Sequence, residues 1–283
     1  MNRILILGAT GFLGSEVAIS LMKQEYDVTL VSRSLKKTTP KIIKEKVIKT
    51  EIENLGNHSF GEFDYVINCI SILDERHNTL EDIFYSNSLI PYKLFNILNF
   101  KKLIHISTYS IFAESFDKNS IPNPQNYYGI SKYVSEKISL IEGGDKTIIL
   151  RFPIIIGKNK NSPDIVEYIF NNLLKNELIK IYGPKNLGKN IIHVSEAVKA
   201  IRYVINYSNE LEENIINVGS NDLISASEIC YYFGKKLKLK PDVSFHKIRS
   251  GVSFNLDILN SYLINYECKS VKTNLDLYLK ELL

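Results

Sequence analysis

The sequence predicts a doubly wound parallel α/β sheet followed by a smaller α/β unit. In the first half of the chain, five short runs rich in Ile, Leu and Val alternate with stretches of helical periodicity. The runs are almost continuously apolar, which is typical of strands buried on both faces of a parallel sheet. Because strands and helices alternate, we expect consecutive strands to be joined by crossover helices, as in βαβ units.

The predicted elements divide the chain near residue 151. Before that point they are strands at 3–7, 27–31, 64–68, 102–107 and 147–151 and helices at 12–24, 80–99 and 128–141. After Pro153 the apolar runs become shorter, and Gly183-Pro184 marks a turn. In this part, helices are predicted at residues 163–175, 195–207 and 225–238. We therefore expect one domain at 1–151 and a smaller one mostly at 152–283, with 191–207 as a segment that could return to the first.

Length and composition indicate a globular chain and exclude several classes of protein. The 283 residues are 45% hydrophobic and 23% charged, which allows a substantial core. The 35 basic and 31 acidic residues leave a net charge of +4, too small to indicate a nucleic-acid partner. No apolar stretch has the length of a membrane span or a signal peptide, so we expect a cytoplasmic protein without a membrane partner. The three cysteines and five histidines are scattered, which fits a reducing compartment and predicts neither disulfides nor a metal site.

A glycine-rich loop follows the first predicted strand and opens the first predicted helix. Its sequence is Gly8-Ala9-Thr10-Gly11-Phe12-Leu13-Gly14. Small residues let the backbone approach a pyrophosphate closely, and the helix N-terminus offers unpaired N–H groups and the positive end of the helix dipole. We therefore predict a dinucleotide site that uses Gly8, Thr10, Gly11, Phe12, Leu13 and Gly14. A purely structural turn is the alternative.

The end of the second predicted strand indicates which dinucleotide is bound. An NAD site usually has an Asp or Glu here, which accepts hydrogen bonds from the ribose 2′-hydroxyl. This chain has Ser32-Arg33-Ser34 instead, with Lys36 and Lys37 close by, and these cations could pair with a 2′-phosphate. We predict NADP(H) bound at Ser32, Arg33 and Ser34. NAD(H) is the alternative, with Arg33 as a solvated loop charge.

A hydroxyl residue and a Tyr–Lys pair form the predicted catalytic constellation. Thr108 follows the strand at 102–107, and the carboxyl end of a central strand faces the ligand crevice of a doubly wound sheet. Tyr128 and Lys132 are four residues apart and therefore share one face of a predicted helix. The same Tyr-x-x-x-Lys spacing also occurs at Tyr133, Tyr231 and Tyr232. Spacing alone is therefore not diagnostic, and Tyr128 is selected by the glycine-rich loop and the Ser-Thr pair that precede it.

Tyr128 has the chemistry of a proton donor and acceptor. A free tyrosine has a pKa of about 10, so it is a poor base near neutrality. A neighbouring ammonium such as Lys132 favours the phenolate, and so does an oxidised nicotinamide ring. We therefore predict that Tyr128 and Lys132 are catalytic, together with a hydroxyl of Ser107-Thr108-Tyr109-Ser110. The alternative for that hydroxyl is that it merely caps a turn. The alternative is that Tyr128 only packs and Lys132 is a solvated helix charge.

Together, the Gly-x-x-Gly-x-x-Gly loop, Thr108, Tyr128 and Lys132 resemble the extended short-chain dehydrogenase/reductase family. The resemblance implies a Rossmann domain at residues 1–151 that binds NAD(P). It also implies that Thr108 is the catalytic hydroxyl residue, with Ser107 and Ser110 as the alternatives. The further cofactor-binding residues that it implies are Glu51 and Ile52 beside the adenine, Cys69, Ile70 and Ser71 beneath the cofactor, Asn87 on the next helix, and Phe152 in a Leu-Arg-x-x segment. The implied partner is a nucleotide-diphosphate sugar contacted by Thr108, Tyr109, Lys189 and Arg249. The resemblance also implies a homodimer built through the helices at 80–99 and 128–141.

The residues after Thr108 help to separate the reactions of this family. Its sugar dehydratases carry Asp-Glu there, whereas this chain has Tyr109-Ser110 and lacks the acid that helps to expel a hydroxyl. Of the other reactions, the basic loop at Arg33 favours reduction over epimerisation, because biosynthetic reductases commonly use NADPH and epimerases usually retain NAD. We therefore predict NADPH-dependent reduction of a nucleotide-linked 4-keto-6-deoxysugar, as in nucleotide-sugar 4-ketoreductases. The alternatives are a nucleotide-sugar epimerase and a non-catalytic NADP-binding regulator, which would typically lack the tyrosine or the lysine.

Overall fold

A computed structural model describes residues 1–24, 26–35, 39–73, 76–112, 120–160, 164–183, 185–246 and 266–283. Its strands are β1 (Arg3–Leu7), β2 (Asp27–Ser32), β3 (Ile48–Lys49), β4 (Glu62–Asn68), β5 (Asn99–Thr108), β6 (Thr147–Phe152), β7 (Ile154–Ile156), β8 (Ile179–Tyr182), β9 (Gly188–Lys189), β10 (Ile191–His193), β11 (Ile215–Asn217), β12 (Ile224–Ser225) and β13 (Val243–His246). Its helices are α1 (Phe12–Met22), α2 (Lys41–Lys46), α3 (Leu80–Phe84), α4 (Ile90–Ile97), α5 (Tyr127–Gly143), α6 (Ile165–Leu174), α7 (Val194–Tyr207), α8 (Ala226–Leu237) and α9 (Val271–Leu282). A π-helical turn at Tyr85–Leu89 joins α3 to α4, and 3-10 turns lie at Ile52–Asn57, Tyr109–Ile111 and Gly144–Lys146.

Seven strands form one parallel sheet in the order β11-β6-β5-β4-β1-β2-β3. The five strands predicted from the apolar runs are β1, β2, β4, β5 and β6 of this sheet. The chain adds β2 and β3 on one side of β1, and then β4, β5 and β6 on the other, so the strand order reverses at β1. In such a sheet, ligands bind in the crevice beyond the carboxyl ends of the strands at this reversal. The prediction of a doubly wound α/β fold is confirmed.

Strand β1 shows why the central runs are almost continuously apolar. Ile4 and Ile6 face one side of the sheet and belong to a core that includes residues of α1 and α7. Leu5 and Leu7 face the other side, in a core that includes residues of α4. All four side chains are completely buried. Because helices cover both faces, neither face carries the polar residues of a solvent-exposed strand.

The C-terminal part of the chain has its own core but also contributes to the main sheet. Helices α6, α8 and α9 enclose a separate cluster that contains Phe170 and Phe233, whose ring centroids lie 6.0 Å apart. Helix α7 instead packs in the core that contains α1, and β11 pairs with β6 in the main sheet. The return to the main sheet therefore extends beyond the predicted segment 191–207, and the domain boundary near residue 151 stays a prediction.

The predicted helix at 80–99 is divided in the structure. Helix α3 ends at Phe84, the π-helical turn follows, and α4 ends at Ile97, after which β5 begins at Asn99. Pro91 lies directly after the π-helical turn, in the first turn of α4, and because it has no N–H it donates no hydrogen bond to the preceding turn. Within this segment Asn87 is completely buried and forms side-chain hydrogen bonds to neighbouring elements.

Candidate active site

A cavity of about 210 Å³ lies beyond the carboxyl ends of β1, β2 and β4. We call it the glycine-loop cavity. The predicted cofactor residues that line it are Gly8, Thr10, Gly11, Ser32, Arg33, Ser34, Glu51, Ile52, Cys69, Ile70 and Ser71. The structure therefore brings together most of the residues assigned to the cofactor. Leu13, Gly14, Asn87, Lys132 and Phe152 are not among its lining residues.

The glycine loop has the tight backbone that a pyrophosphate site requires. Gly8 has a φ of +73°, and a Cβ atom there would lie 3.1 Å from the backbone of Cys69 and Ile70. Gly14 lines neither cavity but allows α1 to pack on the loop, because a Cβ there would collide with the carbonyl oxygen of Gly8. Helix α1 begins after Gly11, and no side chain caps its N-terminus. These features fit a dinucleotide pyrophosphate held by backbone N–H groups.

The end of β2 is tied to the glycine loop through hydroxyl groups. The hydroxyls of Thr10 and Ser32 are 2.6 Å apart, and Thr10 also donates to the carbonyl oxygen of Ser34 at 2.9 Å. Arg33 is exposed and lines the cavity between these two serines. Thr10 and Ser32 are therefore connected to each other and hold the strand end in place. Lys36 and Lys37 lie outside the described residues.

A larger cavity of about 550 Å³ lies next to the ends of β5 and α5, and we call it the tyrosine cleft. The predicted residues that line it are Phe12, Thr108, Tyr109, Tyr128 and Lys189. Most of the remaining lining residues were not predicted, and several are apolar: Leu73, Phe112, Pro153, Ile154, Ile155 and Leu187. The cleft therefore combines the predicted hydroxyl groups with an apolar wall.

Tyr128 is positioned by the start of α5. Asn126 caps this helix by accepting a hydrogen bond from the N–H of Gly129 at 2.7 Å. Burial raises the pKa of Tyr128, and hydrogen bonds with Thr108 and Ser71 oppose this rise. The sequence argument expected Lys132 to favour the phenolate. In the protein alone, burial outweighs the hydrogen bonds, so Tyr128 is a neutral phenol at neutral pH.

Lys132 is almost completely buried, with 1% of its surface exposed. Its Nζ atom lies 3.3 Å from Nε2 of His105. Burial lowers the pKa of Lys132 to about 8, although the charges of Glu136 and Cys69 act in the opposite direction. The expectation that Lys132 could be a solvated helix charge is wrong, because the residues of β5 and α5 enclose its side chain.

Asn87 and Phe152 lie behind the cavities. Asn87 accepts from the N–H of Ile72 at 2.7 Å and donates to the hydroxyl of Ser131 at 2.9 Å, so it ties the loop after β4 to α5. It also accepts a hydrogen bond from Ser71, the residue that contacts Tyr128. Phe152 is packed in the main core. In the described structure, Asn87 and Phe152 support the site from behind.

A buried ion pair supports the end of β5 and was not predicted from the sequence. Arg151 on β6 binds both carboxylate oxygens of Glu136, at 2.9 and 2.7 Å, and Ser107 donates to the same carboxylate at 2.5 Å. Glu136 lies one turn after Lys132 on α5. A glutamate on a buried helix face and an arginine within an apolar strand were the sequence signals that could have revealed this network.

The remaining predicted substrate residues have different surroundings. Lys189 is partly buried, which lowers its pKa, and no described carboxylate lies within ion-pair distance of it. Tyr109 presents its ring to the cleft while its hydroxyl is buried, and burial with the nearby Cys268 raises its pKa well above the ordinary value. Arg249 lies outside the described residues.

The part of the chain that the structure describes offers neither a membrane-spanning helix nor a metal-binding cluster. There, no helix has the length and apolar character needed to cross a membrane. Among the same residues, no cluster of three or more His, Cys, Asp or Glu side chains has the arrangement of a metal site.

The fold and this site define a nicotinamide-dependent oxidoreductase of the short-chain type. The model of the NAD dependent epimerase/dehydratase family matches residues 4–219. The protein therefore belongs to this family, and the resemblance to the extended short-chain dehydrogenases/reductases is confirmed.

Several relatives extend the comparison over most of the chain. A "Putative UDP-glucose 4-epimerase" of Methanocaldococcus jannaschii is 24% identical over 281 residues, covering 89% of this chain and 88% of the relative. The structure of MoeE5 in complex with UDP-glucose and NAD is 19% identical, has a TM-score of 0.82, and covers 99% of this chain and 98% of MoeE5. The UDP-glucuronic acid 4-epimerase from Bacillus cereus in complex with NAD has the same TM-score at 17% identity, covering 99% and 96% of the two chains. At these identities, the structural likeness shows a shared fold.

Proposed function

We propose that this protein transfers hydride at a carbonyl carbon of a nucleotide-linked sugar. The observation that carries the proposal is the hydroxyl of Tyr128, which contacts Thr108 in the tyrosine cleft beside the glycine-loop cavity. Family membership and the names of the relatives, which include UDP-sugar epimerases, support a nucleotide sugar as the substrate.

In this proposal, the glycine loop would hold a nicotinamide cofactor, and that cofactor would supply or accept the hydride. Thr108 and Tyr128 hold the carbonyl oxygen of the sugar, and Tyr128 delivers a proton to that oxygen as negative charge develops there. The raised pKa of Tyr128 suits this role, because the phenol keeps its proton until the oxygen requires it. Ser71 contacts the same phenol and helps to orient it.

The charge of Lys189 supports a phosphate-bearing substrate. Its side chain lines the cleft and is partly buried without a described carboxylate partner. A second lysine of the cleft, Lys160, is already paired with Asp164 at 2.7 Å. Among the described residues that line the cleft, Lys189 is therefore the cation that can bind the diphosphate. It would act as a point charge and not as the bidentate fork of an arginine.

For the direction of the reaction, we infer that the protein reduces a 4-keto-6-deoxysugar with NADPH. The inference depends on Arg33, which lines the glycine-loop cavity where an NAD-binding protein usually carries an acid. Epimerisation with a retained NAD is the second candidate, because the relatives include epimerases and the complexes with MoeE5 and the Bacillus cereus epimerase contain NAD. The absence of an acid after Thr108 disfavours dehydration.

The test is incubation of the protein with NADPH and a panel of nucleotide-4-keto sugars, followed by absorbance at about 340 nm. Stoichiometric loss of NADPH supports reduction. Interconversion of sugars without net loss of NADPH supports epimerisation, and cofactor binding without any turnover supports a regulator and contradicts an enzymatic role.

We also propose the homodimer that the family resemblance implies. Helices α3, α4 and α5 and the π-helical turn carry the exposed apolar side chains Leu80, Leu89, Tyr92, Val134 and Ile141. Sedimentation equilibrium should give twice the mass of 32.4 kDa. A monomer at all concentrations would contradict this part of the proposal.

A further inference from the structure

A buried histidine contacts the catalytic lysine and has no role in the chemistry described above. His105 lies on β5 and is completely buried. Its Nδ1 atom is 3.3 Å from Nδ2 of Asn68 on β4, and its Nε2 atom is 3.3 Å from Nζ of Lys132 on α5. The hydroxyl of Ser135 also contacts Nε2. One imidazole therefore joins two strands of the sheet to the catalytic helix.

Asn68 determines which ring nitrogen of His105 carries the proton. Its Oδ1 atom accepts a hydrogen bond from the N–H of Ile70 at 3.1 Å, so its amide nitrogen faces the ring. An amide nitrogen only donates, so Nδ1 must accept and the proton of the neutral ring is on Nε2. The ring is neutral because burial, helped by the charge of Lys132, lowers the pKa of His105 well below its ordinary value.

The N–H group at Nε2 therefore faces Ser135 and Lys132. The hydroxyl of Ser135 can accept this hydrogen, and so can a neutral amine. An ammonium has no lone pair to accept this hydrogen, and its positive charge would lie against the partly positive hydrogen of the N–H group. The imidazole therefore disfavours the charged form of Lys132, in addition to the cost of burial.

Two other titratable groups of the described residues, Glu136 and Cys69, act on the charge of Lys132. Glu136 favours the ammonium, but Arg151 binds both of its carboxylate oxygens and takes up much of its charge. Cys69 is a neutral thiol near the pH at which Lys132 titrates, because burial raises its pKa to about 12. Tyr128 lies one turn earlier on α5 and is a neutral phenol, because burial raises its pKa as well.

We propose that His105 is a positioning residue that places its Nε2–H against Ser135 and Lys132 and so keeps the lysine able to exchange a proton at neutral pH. The proposal rests on the proposed role of Tyr128 as proton donor. Once Tyr128 has given its proton to the sugar oxygen, it must regain one before the next turnover. A lysine with a lowered pKa gives this proton to the phenolate more readily than an ordinary lysine, whose pKa is about 10.4, and it exchanges protons with solvent near the working pH.

The test is an NMR titration of ¹³C-labelled lysine in the protein without substrate. In the wild type, one lysine should titrate near pH 8, and its signal should be absent from Lys132→Arg. In His105→Gln an amide oxygen can accept from the ammonium, so the midpoint should rise by about one pH unit. The alkaline limb of the kcat profile should move by the same amount. Ser139→Ala, a buried change one turn after Ser135, should leave both values unchanged.

A midpoint that is unchanged or lower in folded His105→Gln would overturn the proposal. The titration needs no turnover, so it tests the role of His105 even if no nucleotide sugar proves to be a substrate. Failure of the proposed function would appear in the activity assay, and failure of the His105 proposal would appear in the titration. If His105→Gln does not fold, His105→Asn serves the same purpose. The shorter side chain removes the N–H group at Nε2, and the same rise of the lysine midpoint is expected.

Discussion

The two cavities of this protein are built in different ways. The glycine-loop cavity is formed at the ends of β1, β2 and β4, which are adjacent in the sheet and lie in the first quarter of the chain. The tyrosine cleft combines Phe12, Thr108 and Tyr128 with Lys189 and apolar residues from the C-terminal part. The glycine-loop cavity is therefore defined by one βαβ unit and its neighbour, whereas the tyrosine cleft depends on how distant segments pack.

The largest effect should come from Tyr128→Phe, which alters the cleft and leaves the glycine-loop cavity intact. Loss of the phenolic proton should lower kcat about 1,000-fold while the Kd of the cofactor stays unchanged. Tyr127→Phe is the matched control, because Tyr127 is the exposed preceding residue and should tolerate the change. Steady-state kinetics gives kcat, and a fluorescence titration of NADPH gives the Kd of the cofactor. Full activity of Tyr128→Phe would show that Tyr128 is not the proton donor.

In contrast to Tyr128→Phe, Gly14→Ala should alter the glycine-loop cavity and weaken cofactor binding. The added methyl would collide with the carbonyl oxygen of Gly8 and force α1 away from the loop. We expect cofactor affinity to fall about 100-fold and the free energy of unfolding to fall by about 2 kcal/mol. Gly56→Ala is the control, because nothing lies within 4 Å of a Cβ there. Calorimetric titration and thermal unfolding measure the two effects, and unchanged cofactor binding would show that the loop does not hold the pyrophosphate.

Arg33→Ala should alter the choice of cofactor. A charge-assisted bond to the 2′-phosphate contributes about 1.5–3 kcal/mol, so affinity for NADP should fall about tenfold or more while affinity for NAD hardly changes. Lys49→Ala, an exposed lysine on the adjacent β3, should affect neither cofactor. If the wild type already binds NAD as tightly as NADP, the assignment of NADP is wrong and epimerisation becomes the leading function.

The smallest effect is expected for Lys189→Gln in the cleft. Removing the cation should raise the KM for the nucleotide sugar about tenfold with little change in kcat, because the charge acts on substrate binding. Lys180→Gln is the control, since Lys180 is exposed on β8 and does not line the cleft. An unchanged KM would mean that the diphosphate binds elsewhere.

The difference between the locally built glycine-loop cavity and the tyrosine cleft, which is built from distant segments, also explains what could be predicted from the sequence. The central strands and much of the glycine-loop cavity follow local patterns, because the glycine loop and Ser32-Arg33-Ser34 stand at the ends of apolar runs. The positions of Glu51, Ile52 and Cys69 were instead implied by the family resemblance. The contacts of Lys132 with His105 and of Glu136 with Arg151 join different elements, so spacing along the chain does not reveal them. The π-helical turn within the predicted helix at 80–99 carries Asn87, whose contact with Ser131 on α5 is likewise non-local.

The most direct test of the central claim is a single turnover with NADPH deuterated at the transferred position and a nucleotide-4-keto-6-deoxysugar, followed by mass spectrometry of the sugar. If the protein is a reductase in which Tyr128 delivers a solvent-derived proton to the oxygen, each product molecule gains one deuterium on the former carbonyl carbon. The Tyr128→Phe protein should form almost none of this product. A sugar that is epimerised without gaining deuterium, or no product from the wild type, would contradict the account.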